Sequence, residues 1–285
     1  MTCDVAEPGD GAYVFGALLN AKGMIAAPLW ITRLADALLV EVPAAAGAAV
    51  TATFARSLPP RLCKWDDITS ASATVGVYGP AAAACLAAAL DGEPPAAGRA
   101  AELRRDGTVA TVARVTARGV DGFDCVVPLE GAAAFTARLV EAGAVAASPA
   151  LLEERRILAG FPRLGAEIDE KTLPQEVRLD ELGGVSYTKG CYLGQETVAR
   201  IHFRGHANRH LAGLALEREP AALPAEFSHQ GQSAGRLTSA CWWPSGDVWA
   251  GLAVLRRSIG PGSVVGFHDG AEATVRALPW EQPAP

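Results

Sequence analysis

No two of the six cysteines in this chain form a C-x-x-C pair. Zinc ribbons and self-contained sets of cluster ligands need such closely spaced cysteines, so neither is predicted. The cysteines are spread over the whole length, at Cys3, Cys63, Cys85, Cys125, Cys191 and Cys241. Their wide spacing, without a recognisable signal peptide, leads us to expect a reducing, cytoplasmic environment.

Long apolar runs and an excess of basic residues are also missing. The alanine-rich run Ala81–Leu90 is too short to cross a bilayer. The chain has 25 Lys and Arg against 31 Asp and Glu, a net charge of −6, which argues against a wholly basic nucleic-acid-binding surface. We therefore expect neither a membrane span nor a nucleic-acid partner, although a local basic patch is compatible with this charge.

Hydrophobic residues make up 50% of the 285 residues, enough for a sizeable core. Strands and helices in mixed order predict an α+β body over residues 1–204. After Gly205, short strand-like segments separated by Gly, Pro and polar turns predict a small β-barrel over residues 205–285. Within that barrel, Glu217–His229 reads as the loosest stretch.

Several local patterns predict individual elements. Tyr13–Leu19 reads as a strand that leads into a turn at Asn20–Gly23, after which Met24–Ile25 begins the return strand. Leu29–Leu34 and Leu38–Val42 are predicted to form another strand pair around Ala35-Asp36. Arg104–Arg118 is predicted to form a hairpin around its Asp-Gly pair.

The segment Lys189–Glu196, KGCYLGQE, is the most specific pattern in the chain. Gly190 and Gly194 bracket Cys191 and permit tight turns or close approach to a ligand. A helix is predicted to begin just after the second glycine, so Lys189 and the helix end both favour a thiolate at Cys191. The alternative is that Cys191 is a small buried hydrophobic residue, the usual fate of a free cysteine.

Three histidines, His202, His206 and His210, follow this segment at intervals of four residues. On one continuous helix they would share a face, as metal ligands do. Gly205 interrupts that helix, and no nearby Asp or Cys completes a ligand set, so no metal site is predicted.

The pattern K-G-C-Y-x-G-Q-E-x-x-A-R, continued by Phe203-Arg204-Gly205, resembles the signature of the YgfZ-type folate-binding proteins. That family is related to the aminomethyltransferase T-protein (GcvT) of the glycine cleavage system and is linked to iron–sulfur cluster assembly and repair. The likeness covers nearly the whole chain. It implies an α+β body of two intertwined subdomains, a C-terminal β-barrel, and tetrahydrofolate bound in the central opening.

The resemblance also implies roles for individual side chains. Cys191 would be the reactive group, with Lys189 favouring its thiolate, and Arg209 or Arg200 would anchor the folate through charge-assisted bonds to carboxylate. The alternative for these basic residues is a solvated charged face. The residues expected to contact the cofactor are Gly190, Tyr192, Gly194, Gln195, Glu196, Arg200 and Arg209.

Two features depart from the family. Ala26 and Ala27 stand where the T-protein carries a carboxylate pair, and Leu158 stands where it carries a folate-contacting glutamate. These side chains cannot support the reacting amine, so glycine cleavage activity is not expected. Thr2–Val5 resembles a segment several dozen residues into the family's domain, so we expect a truncated first subdomain that lacks a neighbouring strand.

These observations predict a tetrahydrofolate-binding protein that supports the assembly or repair of iron–sulfur proteins. Its expected partners are a reduced folate and iron–sulfur client proteins. The alternatives are a folate-dependent one-carbon transferase or demethylase acting on an unknown amine, and a non-enzymatic folate-binding scaffold. Because the expected carboxylates are absent, the sequence leaves open whether the chain is an enzyme.

Overall fold

The computed structural model of the protein describes residues 1–115 and 119–280. These residues form three sheets and five α-helices, and the predicted α+β class with a C-terminal barrel is confirmed. The chain divides into two compact units. The first holds residues 4–15 and 29–147, and the second holds residues 1–3, 16–28 and the chain from Ser148 onward. The domain boundary that the sequence predicts after residue 204 stays a prediction.

A β-hairpin contributes to both units, with strands β1 (Tyr13–Leu19) and β2 (Ile25–Arg33). Its turn forms as predicted, because the side chain of Asn20 accepts hydrogen bonds from two turn amides. The predicted pairing of Leu29–Leu34 with Leu38–Val42 is confirmed, but Leu29–Leu34 is not a separate strand, since β2 is continuous from Ile25 to Arg33. Pro28 lies inside β2 although proline lacks the amide hydrogen that a ladder bond needs. The neighbouring strand β3 (Leu38–Glu41) pairs with residues 30–33, so no hydrogen bond to β3 is lost at Pro28.

The first unit contains α1 (Gly47–Ser57) and a four-stranded sheet in the order β4-β7-β6-β5. The strands are β4 (Ser72–Tyr78), β5 (Ala100–Arg105), β6 (Thr108–Val115) and β7 (Gly122–Pro128). Helices α2 (Ala82–Ala89) and α3 (Leu129–Glu141) pack on this sheet around a buried cluster that includes Leu86, Phe123 and Phe135. The predicted Asp-Gly hairpin forms between β5 and β6, and its last residues, 116–118, lie outside the described part of the chain.

The second unit contains α4 (Pro149–Leu158), α5 (Gln195–Arg204) and a closed barrel in the order β10-β11-β8-β13-β12-β9. The barrel strands are β8 (Arg209–Leu216), β9 (Ala225–His229), β10 (Gln232–Trp243), β11 (Val248–Arg256), β12 (Val264–Phe267) and β13 (Glu272–Arg276). Sequence reasoning missed β9, which lies inside the stretch expected to be loosest, and β12. Both are short strands that pair on one side with the next strand along the chain and on the other side with each other, the pairing that closes the barrel.

No helix in the part of the chain that the structure describes is both long enough and apolar enough to cross a bilayer.

Candidate functional site

We define the motif loop as Lys189–Gly194. It has no regular secondary structure and leads into α5, whose first residue is Gln195. The amide of Tyr192 donates to the side-chain oxygen of Gln195 at 3.2 Å, and the amide of Gln195 donates to the carbonyl of Tyr192 at 3.2 Å. These reciprocal bonds satisfy two amides at the helix N-terminus, which has no other side-chain cap. Gln195 therefore orders the motif loop.

The tip of the β1–β2 hairpin packs directly on the motif loop. A Cβ atom at Gly194 would lie 2.5 Å from the Asn20 oxygen and 2.8 Å from Gly23 Cα, and one at Gly23 would lie 2.9 Å from Thr197 Cβ. Both glycines adopt positive φ, +80° and +84°. The two backbones thus approach to a distance that only glycine permits at both positions.

Lys189 ties the first residues of the chain to the motif loop. Its ammonium donates to the carbonyl of Cys3 at 2.7 Å and to that of Met1 at 3.2 Å, and it lies 5.6 Å from the ring centroid of Tyr192. Cys191 is exposed, so its interpretation as a buried core residue was wrong. Activation of its thiol by Lys189 stays a prediction.

Alkylation with iodoacetamide near neutral pH is expected to modify Cys191 faster than any other cysteine. The thiolate is the reacting form, and burial raises the pKa of Cys241 to about 12 and also raises the pKa of Cys125. Cys63 is the matched control, because it is also exposed but lies outside the motif. Peptide mass spectrometry across a pH series gives the rates, and equal rates at Cys191 and Cys63 would contradict an activated thiol.

Arg209, at the start of β8, forms a bidentate ion pair with Glu176. Its Nε and Nη2 atoms donate to the two carboxylate oxygens at 3.0 and 2.9 Å, and Glu176 is only 4% exposed. The hydrogen bonds that Arg209 donates to Glu176 raise the pKa of Arg209 above its ordinary value, so this guanidinium stays charged. The Arg209 side chain is 38% exposed and remains accessible to a ligand carboxylate.

The other predicted contact residues occupy the motif loop and the surface of α5. Arg200 and Glu196 are exposed on α5, while Gly190 is exposed and Tyr192 is half-buried in the motif loop. Their contacts with a cofactor stay predictions.

The three spaced histidines do not share one helix face. Helix α5 ends at Arg204, and His210 lies in β8, beyond the interruption that Gly205 predicted. Among the residues described by the structure, no group of three His, Cys, Asp or Glu side chains is placed to hold a metal ion.

The positions that depart from the family carry only hydrocarbon side chains. On β2, Ala26 is exposed and Ala27 is fully buried, and Leu158, at the end of α4, is 3% exposed. None of these side chains can accept a proton or offer charge to a reacting amine. The geometry therefore contains no substitute for the missing carboxylates at these three positions.

A buried charge network in the second unit escaped sequence reasoning. Arg156 donates to Glu167 at 2.9 Å and to Ser239 at 2.7 Å, while the hydroxyls of Thr238 and Ser239 donate to the other oxygen of Glu167 at 2.7 and 2.6 Å. Glu167 is 0% exposed. Arg156 also pairs with Glu153 on its own helix. No spacing in the sequence links Glu167 to these partners, so no signal could have identified it.

Comparison with protein families gives a match to the GCVT N-terminal domain over residues 1–184. A protein from Yersinia pestis named tRNA-modifying protein YgfZ is 38% identical over 128 residues, which cover 43% of this chain and 38% of that protein. Its namesake from Yersinia enterocolitica is 35% identical over 131 residues, covering 44% of this chain and 39% of that protein. The matches thus span about two fifths of the length of these relatives.

A solved structure shows the same fold over nearly the whole chain. The glycine cleavage system aminomethyltransferase T from Bartonella henselae superposes with a TM-score of 0.79 at 22% identity. The superposition covers 96% of this chain and 77% of that one.

Proposed function

The chain belongs to the GCVT N-terminal domain family, and we propose that it is a YgfZ-type protein that binds tetrahydrofolate or another reduced folate. The motif loop carries this proposal, because Gln195 and the hairpin tip order it while Cys191 stays exposed. The aminomethyltransferase fold is folate-dependent in general, which supports the choice of cofactor.

Within this proposal, Cys191 and the bound folate support the assembly or repair of iron–sulfur proteins in the cytoplasm. Lys189 favours the thiolate, and Arg209 anchors the folate, with Arg200 as a second candidate. The name of the relatives, tRNA-modifying protein, supports a client enzyme that acts on RNA. All six cysteines are free thiols, which fits a reducing compartment.

Genetic complementation tests the role of Cys191. The protein is expected to restore a bacterial strain that lacks its own YgfZ-type protein, the Cys191→Ala variant to fail, and the Cys63→Ala variant to succeed. Immunoblotting confirms equal protein levels. Full complementation by Cys191→Ala would refute the role of the thiol, and failure of the unaltered protein would contradict the proposed function.

Calorimetric titration with tetrahydrofolate is expected to show binding that weakens as salt is added, because arginine–carboxylate attraction is screened. The Arg209→Lys variant keeps the charge but loses the bidentate pair with Glu176 that positions the side chain, so its affinity should fall by about tenfold. Arg218→Lys, in an exposed surface pair of the barrel, is the matched control. Unchanged affinity in Arg209→Lys would remove Arg209 from the site, and absence of heat with any reduced folate would reject the cofactor.

A folate-dependent one-carbon transferase is the second candidate, because the fold matches an aminomethyltransferase. We expect no release of ammonia from aminomethylated lipoyl carrier protein in the presence of tetrahydrofolate, since Ala26, Ala27 and Leu158 offer no carboxylate. A coupled ammonia assay, with an authentic aminomethyltransferase as positive control, measures this. Turnover that depends on this protein would favour the transferase. Folate binding without turnover or complementation would favour a scaffold.

A further inference from the structure

Three aromatic rings form a surface cluster where α5 ends, made of Tyr187, His202 and Phe203. The rings of Tyr187 and His202 stack with centroids 3.7 Å apart and an interplanar angle of 17°. Phe203 meets His202 edge-on at 4.7 Å and Tyr187 at 5.9 Å. Phe203 is 66% exposed, and His202 is exposed as well. Exposed rings contribute little buried apolar area to folding. A cluster of them on the surface therefore indicates an interaction site.

Gln175 links the cluster to the backbone of α5. Its side-chain nitrogen donates to the hydroxyl of Tyr187 at 3.3 Å and to the carbonyl of Val198 at 2.9 Å, and Val198 is fully buried in α5. Burial, with the charge of Asp180, raises the pKa of Tyr187 to about 12, so its phenol stays neutral. The rings therefore form a pre-organised platform that loses little conformational entropy on binding.

The segment that carries the platform is positively charged. Arg200 and Arg204 are exposed one helical turn apart, and neither forms an ion pair with the residues that the structure describes. The segment Thr197–Leu216 contains no aspartate or glutamate, although the chain carries a net charge of −6. Asp180 lies beside Tyr187, and Glu196 lies one turn before Arg200. Overall charge predicts no nucleic-acid partner, but the segment itself has the opposite sign.

We propose that the surface formed by Tyr187, Arg200, His202, Phe203 and Arg204 binds single-stranded RNA. Unpaired bases stack on exposed aromatic rings, and arginines beside the rings contact the phosphates. Charge complementarity favours a polyanion over a protein partner of mixed charge. The choice of RNA over DNA rests on the proposed function, in which the client acts on RNA.

Fluorescence anisotropy tests this with the full chain and a labelled, unstructured RNA of about 12 nucleotides. Binding is expected at low salt, and log K should fall against log salt with a slope of about −1.4 if two arginines contact phosphates. An RNA duplex of the same sequence should bind more weakly, because its bases are not available for stacking. A single-stranded DNA of the same sequence should also bind more weakly, and equal binding would overturn the choice of RNA.

Two variants separate stacking from charge. Phe203→Ala should weaken binding about tenfold without changing the salt slope, whereas Phe203→Tyr should restore it. Arg204→Gln should make the slope less steep by about 0.7, and Arg218→Gln should leave it unchanged. Both Phe203→Ala and Arg204→Gln should bind tetrahydrofolate like the unaltered protein, which separates the roles of Phe203 and Arg204 from the folate site, where Arg200 is a candidate. Salt-independent binding, or full binding by Phe203→Ala, would overturn the proposal.

Discussion

Replacing Gly194 with alanine is expected to lower the free energy of unfolding by about 3 kcal/mol, through strain and overpacking together. The residue adopts φ +80°, a conformation that alanine enters only at a cost. Its new Cβ would lie 2.5 Å from the carbonyl oxygen of Asn20, and backbone cannot move aside as a flexible side chain can. The hairpin tip would have to separate from the motif loop.

Chemical denaturation followed by far-UV circular dichroism measures this loss. Gly190→Ala is the matched control, since Gly190 lies in the same loop, its φ is not positive, and a Cβ there would meet nothing within 4 Å. We expect that control to stay within about 0.5 kcal/mol of the unaltered protein. Equal stability of the two variants would mean that the contact between the hairpin tip and Gly194 contributes nothing to the fold.

Replacing Arg156 with alanine is expected to lower the free energy of unfolding by about 3–5 kcal/mol, because it leaves the carboxylate of Glu167 buried without its counter-charge. The Arg156 side chain is only 9% exposed and that of Glu167 is 0% exposed, so water cannot take over the lost contacts. The hydroxyls of Thr238 and Ser239 and the backbone amide of Arg163 would remain as donors to Glu167, but none of them carries a positive charge. Denaturant titration at neutral pH measures the change.

The control is Arg218→Ala, which removes a surface ion pair to Asp269 and should cost less than about 1 kcal/mol. A double variant distinguishes an unpaired charge from lost packing. Glu167→Gln removes the uncompensated charge, so Arg156→Ala combined with Glu167→Gln should be more stable than Arg156→Ala alone. A double variant that is no more stable than Arg156→Ala would show that Arg156 acts through packing alone.

In the unaltered protein the same network makes the folded state less stable at acidic pH. Burial by itself would raise the pKa of Glu153, but the hydrogen bond and charge of Arg156, together with the charge of Arg163, lower it below its ordinary value. A carboxyl group whose pKa is depressed in the folded state stabilises the protein above its unfolded pKa. That contribution is lost as the pH falls through the folded value. Glu153 thus contributes to stability at neutral pH and not in strong acid.

Local patterns in the sequence predicted the elements whose causes are local. The strand Tyr13–Leu19 follows from its short apolar run, and the turn after it follows from the side chain of Asn20. The start of α4 follows from Ser148, whose hydroxyl oxygen accepts a hydrogen bond from the backbone amide of Leu151. The end of α5 at Arg204 follows from Gly205. In each case the deciding interaction spans only a few residues.

The short barrel strands β9 and β12 could not be predicted in the same way. Each contributes four or five residues and pairs with the next strand along the chain, but the pairing of β9 with β12 that closes the barrel joins segments far apart in the chain. Barrel closure removes the exposed edges that such strands would otherwise present, and this gain has no local pattern in the sequence.

The sequence by itself determined the KGCYLGQE motif, its family, and the absence of carboxylates at Ala26, Ala27 and Leu158. Only the tertiary structure decided that Gly23 faces Gly194, and that Arg156 reaches Glu167 and Ser239 across gaps of 11 and 83 residues. The physical reason is the range of the interactions. Caps and turns are set by neighbouring residues, whereas a buried ion pair forms only after the fold has excluded water and brought distant segments together.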